Sequence, residues 1–185
     1  MKNQVSYPEF FALLRGINVG GKNKLPMADL RACLENIGLS NPRTYIQSGN
    51  ILFQSQETNK EKLIAQIQAS ILKEFNIESS VFLEDKAFLV STLENNPYLK
   101  ATPDMDIKEL HVTFLSESST ELELVSPERY LPDSYKLIEG RAYVHCPNGY
   151  GRTKLNNSFF EKNAKVSCTT RNWKTCQKIL SLFDT

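Results

Sequence analysis

The sequence predicts an α+β protein of two βαββαβ units in tandem, followed by a C-terminal helix. Two observations carry this reading. Apolar residues switch between strand-like and helix-like spacing in the same order in both halves, and a polar, proline-bearing stretch, Asn95-Asn96-Pro97 with Thr102-Pro103-Asp104, separates them. The first unit is read as residues 1–95 and the second as 96–185.

In the first half, the apolar run from Phe10 to Leu14 is a strand. Met27, Leu30, Leu34 and Ile37 then recur on one helix face, and Gly38 ends that helix. Arg43–Gln47 and Ile51–Gln54 read as strands across a turn at Ser48-Gly49-Asn50. Leu63, Ile64, Ile67, Ile71, Leu72 and Phe75 mark a longer helix, Ser80–Leu83 a fourth strand, and Lys86–Glu94 a helix leading out.

The second half repeats the order. Leu110, Val112 and Phe114 alternate as a strand, and a weakly patterned helix covers Thr120–Arg129. Tyr135–Ile138 and Ala142–Cys146 flank Glu139-Gly140, and a helix starts at Leu155 and Phe159. Lys165–Cys168 is a short strand, and Trp173, Cys176, Ile179, Leu180 and Phe183 form the apolar stripe of the closing helix. Strand, helix, strand, strand, helix, strand is the split βαβ, or ferredoxin-like, unit. The duplication rests on element order and not on identity between halves.

Composition sets the class. With 41% apolar and 23% charged residues among 185, the chain is an ordinary globular protein. Met1–Pro8 is polar and no run approaches the ~20 apolar residues of a membrane span, so a cytoplasmic protein without membrane attachment is expected. Cys33, Cys146, Cys168 and Cys176 show no Cys-x-x-Cys pair and read as reduced, buried thiols, with no metal site. The net charge of +1 hides an asymmetry: residues 96–135 carry three basic and eight acidic side chains, a net −5, and residues 136–185 nine and three, a net +6.

Candidate binding residues lie in the loops. Arg15-Gly16-Ile17-Asn18-Val19-Gly20-Gly21-Lys22-Asn23-Lys24 is glycine-rich and basic, and Pro26 with Asp29 opens a helix behind it. Gly16, Gly21 and Lys22 fit Gly-x4-Gly-Lys, but Asn23 stands where a Mg²⁺-binding Ser or Thr belongs and the helix starts late. A nucleotide-hydrolysing loop is therefore disfavoured, and an anion-binding loop and a tight structural turn stay open.

The topology brings the first-strand loop and the hairpin tip to one sheet edge. Arg15, Asn18, Gly20, Gly21 and Lys22 should thus meet Gln47, Ser48 and Asn50 around a phosphate or carboxylate. In the second half, Asn148-Gly149-Tyr150-Gly151-Arg152-Thr153-Lys154 and Thr169-Thr170-Arg171-Asn172-Trp173-Lys174 are two basic turns opening helices, which would gather Arg152, Lys154, Arg171 and Asn172. Trp173 reads as a core anchor.

Alternation assigns the histidines. With Leu110, Val112 and Phe114 facing the helices, His111 and Thr113 face away, as do Tyr143 and His145, and the two histidines become cross-strand neighbours. No carboxylate is placed by the sequence to orient either ring. No Gly-x-Ser-x-Gly or His-Glu-x-x-His run is present, so two common hydrolase signatures are missing.

Phe11–Lys24 and Arg43–Asn50 resemble the bacterial family catalogued as domain of unknown function sixteen ninety-seven, as do Pro147–Leu155 and Thr169–Trp173. The resemblance implies an α+β fold of duplicated ferredoxin-like units and brings no established activity, cofactor or catalytic residue.

The functional expectation is a protein binding a phosphorylated small molecule or nucleotide through these loops, its cofactor and oligomeric state left open. The alternatives are an enzyme using the same residues with His145 or His111 as acid or base, a nucleic-acid binder, and a structural or interaction module. For nucleic acid, Asn50–Gln54 lacks the paired aromatics of an RNA-binding strand.

Overall fold

The computed structural model describes residues 7–117 and 125–185. The chain divides into two compact units, Met1–Phe88 with Ser181–Thr185, and Leu89–Leu180. Each holds a four-stranded antiparallel sheet, so the protein is of the α+β class.

The first unit runs β1 (Glu9–Leu14), α1 (Met27–Asn36), β2 (Ser40–Tyr45), β3 (Asn50–Gln54), α2 (Lys60–Phe75) and β4 (Val81–Asp85), with strand order β2-β3-β1-β4. Phe10, Ala12 and Leu14 of β1 pack with Ile51 and Phe53 of β3, Leu30 and Leu34 of α1, and Leu63, Ile67 and Ile71 of α2. Burial of each of these Leu, Ile and Phe side chains contributes about 1.5–3 kcal/mol relative to exposure. Phe11, Leu13 and Leu52 are also fully buried, on the opposite face, where the Phe11 ring meets Phe82 and Phe183 at 6.1 and 6.4 Å. The central strands are covered on both faces, which is why they read as continuous apolar runs. Asn59 caps α2 by accepting from the Lys62 amide at 2.8 Å, and Asn76 ends it in the left-handed conformation.

The second unit contains the helix α3 (Lys86–Glu94) from Leu89 onward, then α4 (Pro97–Ala101), β5 (Leu110–Leu115), β6 (Ser134–Ile138), β7 (Arg141–His145), α5 (Asn157–Ala164), β8 (Cys168–Asn172) and α6 (Trp173–Leu182) as far as Leu180. Its sheet order, β6-β7-β5-β8, has the same pattern as the first. The first half of the helix expected over Thr120–Arg129 lies outside the described residues, and its last part falls in a 3₁₀ turn, Pro127–Tyr130. The stretch read as a connection contains α4, where Asn96 caps a helix opened by Pro97.

Two strand readings are corrected. β8 starts three and ends four residues later than the strand expected over Lys165–Cys168, because Thr169-Thr170-Arg171-Asn172 pairs with β5 instead of turning. β5 presents its faces the other way round. Thr113 bonds Thr170 at 2.7 Å, and Thr170 donates to Asn157 of α5 at 2.6 Å, so His111 and Thr113 face α5. Val112 and Phe114 take the opposite face, as does Tyr143, whose hydroxyl donates to the Thr92 carbonyl of α3 at 3.0 Å. Both faces of this central strand are buried, so its apolar alternation cannot say which layer covers which side.

Candidate functional site

Arg15–Pro26 folds as a closed loop. Gly20 and Gly21 have φ of 58° and 76°, and the Lys22 amide donates to the Val19 carbonyl at 3.0 Å, giving a two-residue turn with both central residues in the left-handed region. Asn18, itself at φ 52°, accepts from the Leu25 amide at 2.8 Å and donates to the carbonyls of Leu25 and Gln47 at 2.9 and 2.8 Å. Asn23 donates to the Gly16 carbonyl at 2.9 Å. The glycines therefore form a hairpin tip well ahead of α1, whose N-cap is Pro26 with no side-chain cap. This arrangement departs from a nucleotide-hydrolysing loop, in which the Lys begins the helix.

The expected meeting of this loop with the β2–β3 turn does occur, through Asn18 and Gln47 and through the Leu14 amide, which donates to the Gly49 carbonyl at 2.8 Å. Asn18 spends its polar atoms on Leu25 and Gln47 backbone groups, and buried Asn50 donates to the Tyr45 carbonyl and Ser48 hydroxyl at 3.0 and 2.9 Å. The Arg15 backbone joins Ser79 and Ser80. Lys22 and Lys24 remain as exposed cations beside the open Gly20-Gly21 turn.

The second set of expected residues splits. Gly149, at φ 85°, starts a 3₁₀ turn over Tyr150–Arg152. Thr153 and Leu155 are buried after it, so Arg152 and Lys154 point outward. These two and Asn148 form one side of a cleft of about 360 Å³; the other side is Arg129 to Asp133. Its Tyr130 ring is braced edge-on by Phe159 at 5.0 Å, and Phe159 is packed in turn on Phe160. Three cations and one carboxylate face this space.

Arg171 and Asn172 do not join them. Arg171 lies in β8 next to Thr170, and strand alternation sends it to the opposite face of the sheet. There it donates to the Thr169 hydroxyl and Thr170 carbonyl at 2.8 and 2.9 Å, and burial lowers its pKa to about 10. Asn172 accepts from the Thr175 amide at 2.8 Å and so caps α6, as Asn156 caps α5 through Phe159. At each of these helix starts the Asn side chain is engaged with a first-turn amide. Nothing local in the sequence singles out Arg129, Tyr130 or Asp133: the expected helix ends at Arg129, and the residues after it match no motif.

The histidines are separated as well. The register pairs Leu110 with His145 and His111 with Val144, so they are not cross-strand neighbours. His111 stacks on Tyr150 with ring centroids 4.5 Å apart, and burial lowers its pKa. His145, on the other face, does have a carboxylate: its Nε2 lies 2.9 Å from Glu109 Oε2, while its ring packs on Tyr98 at 5.4 Å. The Tyr98 hydroxyl bonds Ser134 at 2.8 Å, and burial raises its pKa to about 12.

All four cysteines are buried thiols, and burial raises the pKa of Cys33, Cys146 and Cys176. Among the described residues no three His, Cys, Asp or Glu side chains gather as a metal site, and no helix is long and apolar enough to cross a membrane.

Comparison with solved structures finds a conserved bacterial protein, SP0830 from Streptococcus pneumoniae, 26% identical, with a TM-score of 0.73 over 96% of this chain and 99% of that one. No curated protein matches the chain. A family model described as "Protein of unknown function (DUF1697)" matches residues 8–143, and the chain belongs to that family.

Proposed function

We propose that the protein binds a phosphorylated small molecule, in the cleft of the second unit. The supporting observation is the convergence of Arg129, Arg152 and Lys154 on one space of about 360 Å³. That volume lies within the ~300–1,000 Å³ of small-molecule sites. Arg and Lys supply the donors and charge a phosphate needs, and an exposed Asn148 adds an amide. The first-unit loop, with Lys22 and Lys24 beside an open glycine turn, is a weaker second position, because Asn18 and Asn50 are committed internally.

An enzyme reading that uses His145 on the same ligand has less support. His145 and Glu109 lie on the sheet face opposite α5, while Tyr130 packs on Phe159 of α5. We further read the two units as copies of one ferredoxin-like βαββαβ element, on the strength of their matching strand orders, and the protein as cytoplasmic.

Thermal unfolding of wild type, Arg152→Ala and Lys22→Ala against phosphate, sugar phosphates, nucleotides and short RNA and DNA tests the function. A ligand at 100 times its dissociation constant contributes about 2.7 kcal/mol. The midpoint should rise by roughly 5–10 °C for one phosphorylated compound and not in Arg152→Ala. A shift common to every polyanion, or none, would favour a structural or interaction module.

A further inference from the structure

Resting on the reading of the cleft as a phosphate site, we infer that its ligand is a nucleoside monophosphate, held by its phosphate at Arg152 and Lys154 and by its base on the Tyr130 ring. Charge selects the phosphate class. Arg129, Arg152 and Lys154 against Asp133 leave a net +2 facing the cleft, which matches the roughly −1.5 to −2 of a phosphate monoester at neutral pH. A polyphosphate or a nucleic-acid strand would carry more charge than this space neutralises.

Inorganic phosphate alone leaves half of the lining without a counterpart. Tyr130 presents a half-buried aromatic ring, and Leu131 beside it is 71% exposed. The ring is fixed from behind, because Phe159 meets it at 68° and is itself set against Tyr135 and Phe160 at 5.8 and 5.0 Å. A rigid ring next to an exposed apolar side chain and a proline forms a wall suited to a flat heterocycle. Asp133, an acceptor only when ionised, calls for a donor on the ligand, such as a ribose hydroxyl or an exocyclic amine. Asn148, both donor and acceptor, suits the edge of a base. The volume, near the lower end for small-molecule sites, limits the ligand to one nucleotide.

Calorimetric titration of the full-length protein with adenosine and uridine 5′-monophosphates, ribose 5-phosphate, inorganic phosphate and adenosine tests the inference. At least one nucleoside monophosphate should bind about tenfold or more tightly than ribose 5-phosphate. Tyr130→Leu should erase that difference and leave ribose 5-phosphate affinity unchanged, and Arg152→Ala should weaken every phosphorylated compound. Should Tyr130→Leu fail to fold, saturation-transfer NMR on the wild type replaces it, with the strongest transfer expected at the base protons. Equal affinity for ribose 5-phosphate and both nucleotides, or transfer confined to the ribose, would overturn the nucleoside inference while the phosphate site stood. No binding by any of them would remove both, and nucleotide binding indifferent to Arg152→Ala would put the ligand elsewhere and overturn the inference.

Discussion

Gly49, in the β2–β3 turn, is held against Leu14 at the end of β1: the Leu14 amide donates to the Gly49 carbonyl at 2.8 Å, and a β-carbon on Gly49 would stand 2.7 Å from that of Leu14. The same β-carbon would lie 2.7 Å from Cδ1 of Ile17, and Gly49 has φ 73°. Gly49→Ala therefore meets steric overlap as well as a disfavoured backbone, and should destabilise by about 2–5 kcal/mol. Gly21→Ala, with nothing within 4 Å of its added carbon, should cost only the backbone share, about 1–2 kcal/mol. Denaturant midpoints for the two variants check this, and equal losses would refute the packing argument.

Asn18 closes the Arg15–Pro26 loop with three side-chain hydrogen bonds, one of them to Gln47 in the next turn. At about 0.5–1.5 kcal/mol each, Asn18→Ala should loosen this loop by roughly 2–4 kcal/mol. Amide hydrogen exchange at Leu25 should accelerate by at least tenfold in the variant. Unchanged exchange would mean that the loop is held by other groups.

Ile46 is a β-branched residue at φ 51° and is half exposed. A left-handed conformation costs such a residue about 1–2 kcal/mol, and Asn tolerates it better. Ile46→Asn should raise stability by about 0.5–1 kcal/mol in urea melts. A loss instead would show that the exposed side chain has a packing role.

His111 should make stability depend on mild acid. Burial holds its pKa below the ordinary 6.5, and its Nδ1 has no hydrogen-bond partner among the described residues. The unfolded chain takes a proton near 6.5 and the folded chain only at lower pH, so the stability is present above 6.5 and lost as pH falls through it. The slope is at most about 1.4 kcal/mol per pH unit. Urea midpoints at pH 7.5 and 5.5 should converge less in wild type than in His111→Gln; equal acid losses in both proteins would contradict it.

The thiols should be inert. Burial pushes Cys146 up to about 11 and Cys176 up to about 12, so both stay protonated at pH 8. A thiol-specific chromogenic reagent should react with none of the four cysteines in the native state and with all four in denaturant. Stoichiometric reaction of the folded protein would refute this.

Local signals were sufficient wherever one residue type decides a conformation. Gly38 marks the end of α1, Gly20-Gly21 the turn and Pro26 the start of a helix, because backbone freedom and a fixed φ belong to the residue itself. The element order of the first unit followed from apolar spacing, and so did the contact between the first-strand loop and the β2–β3 turn. Thr169-Thr170-Arg171-Asn172 misled because a polar, β-branched run can turn or pair, and only its ladder with β5 makes it a strand.

By itself, the sequence determined the α+β class, the element order of the first unit and the buried thiols, since these depend on periodicity and on residues acting within a few positions. Tertiary structure alone decided what each loop could still bind. It committed Asn18, Asn50 and Asn172 to backbone groups, sent Arg171 behind the sheet, gave His145 the Glu109 carboxylate and brought Arg129, Tyr130 and Asp133 to Arg152. The physical reason is that a polar side chain is available to a ligand only if no nearer partner has taken its hydrogen bonds. Those partners here lie up to 36 residues away along the chain.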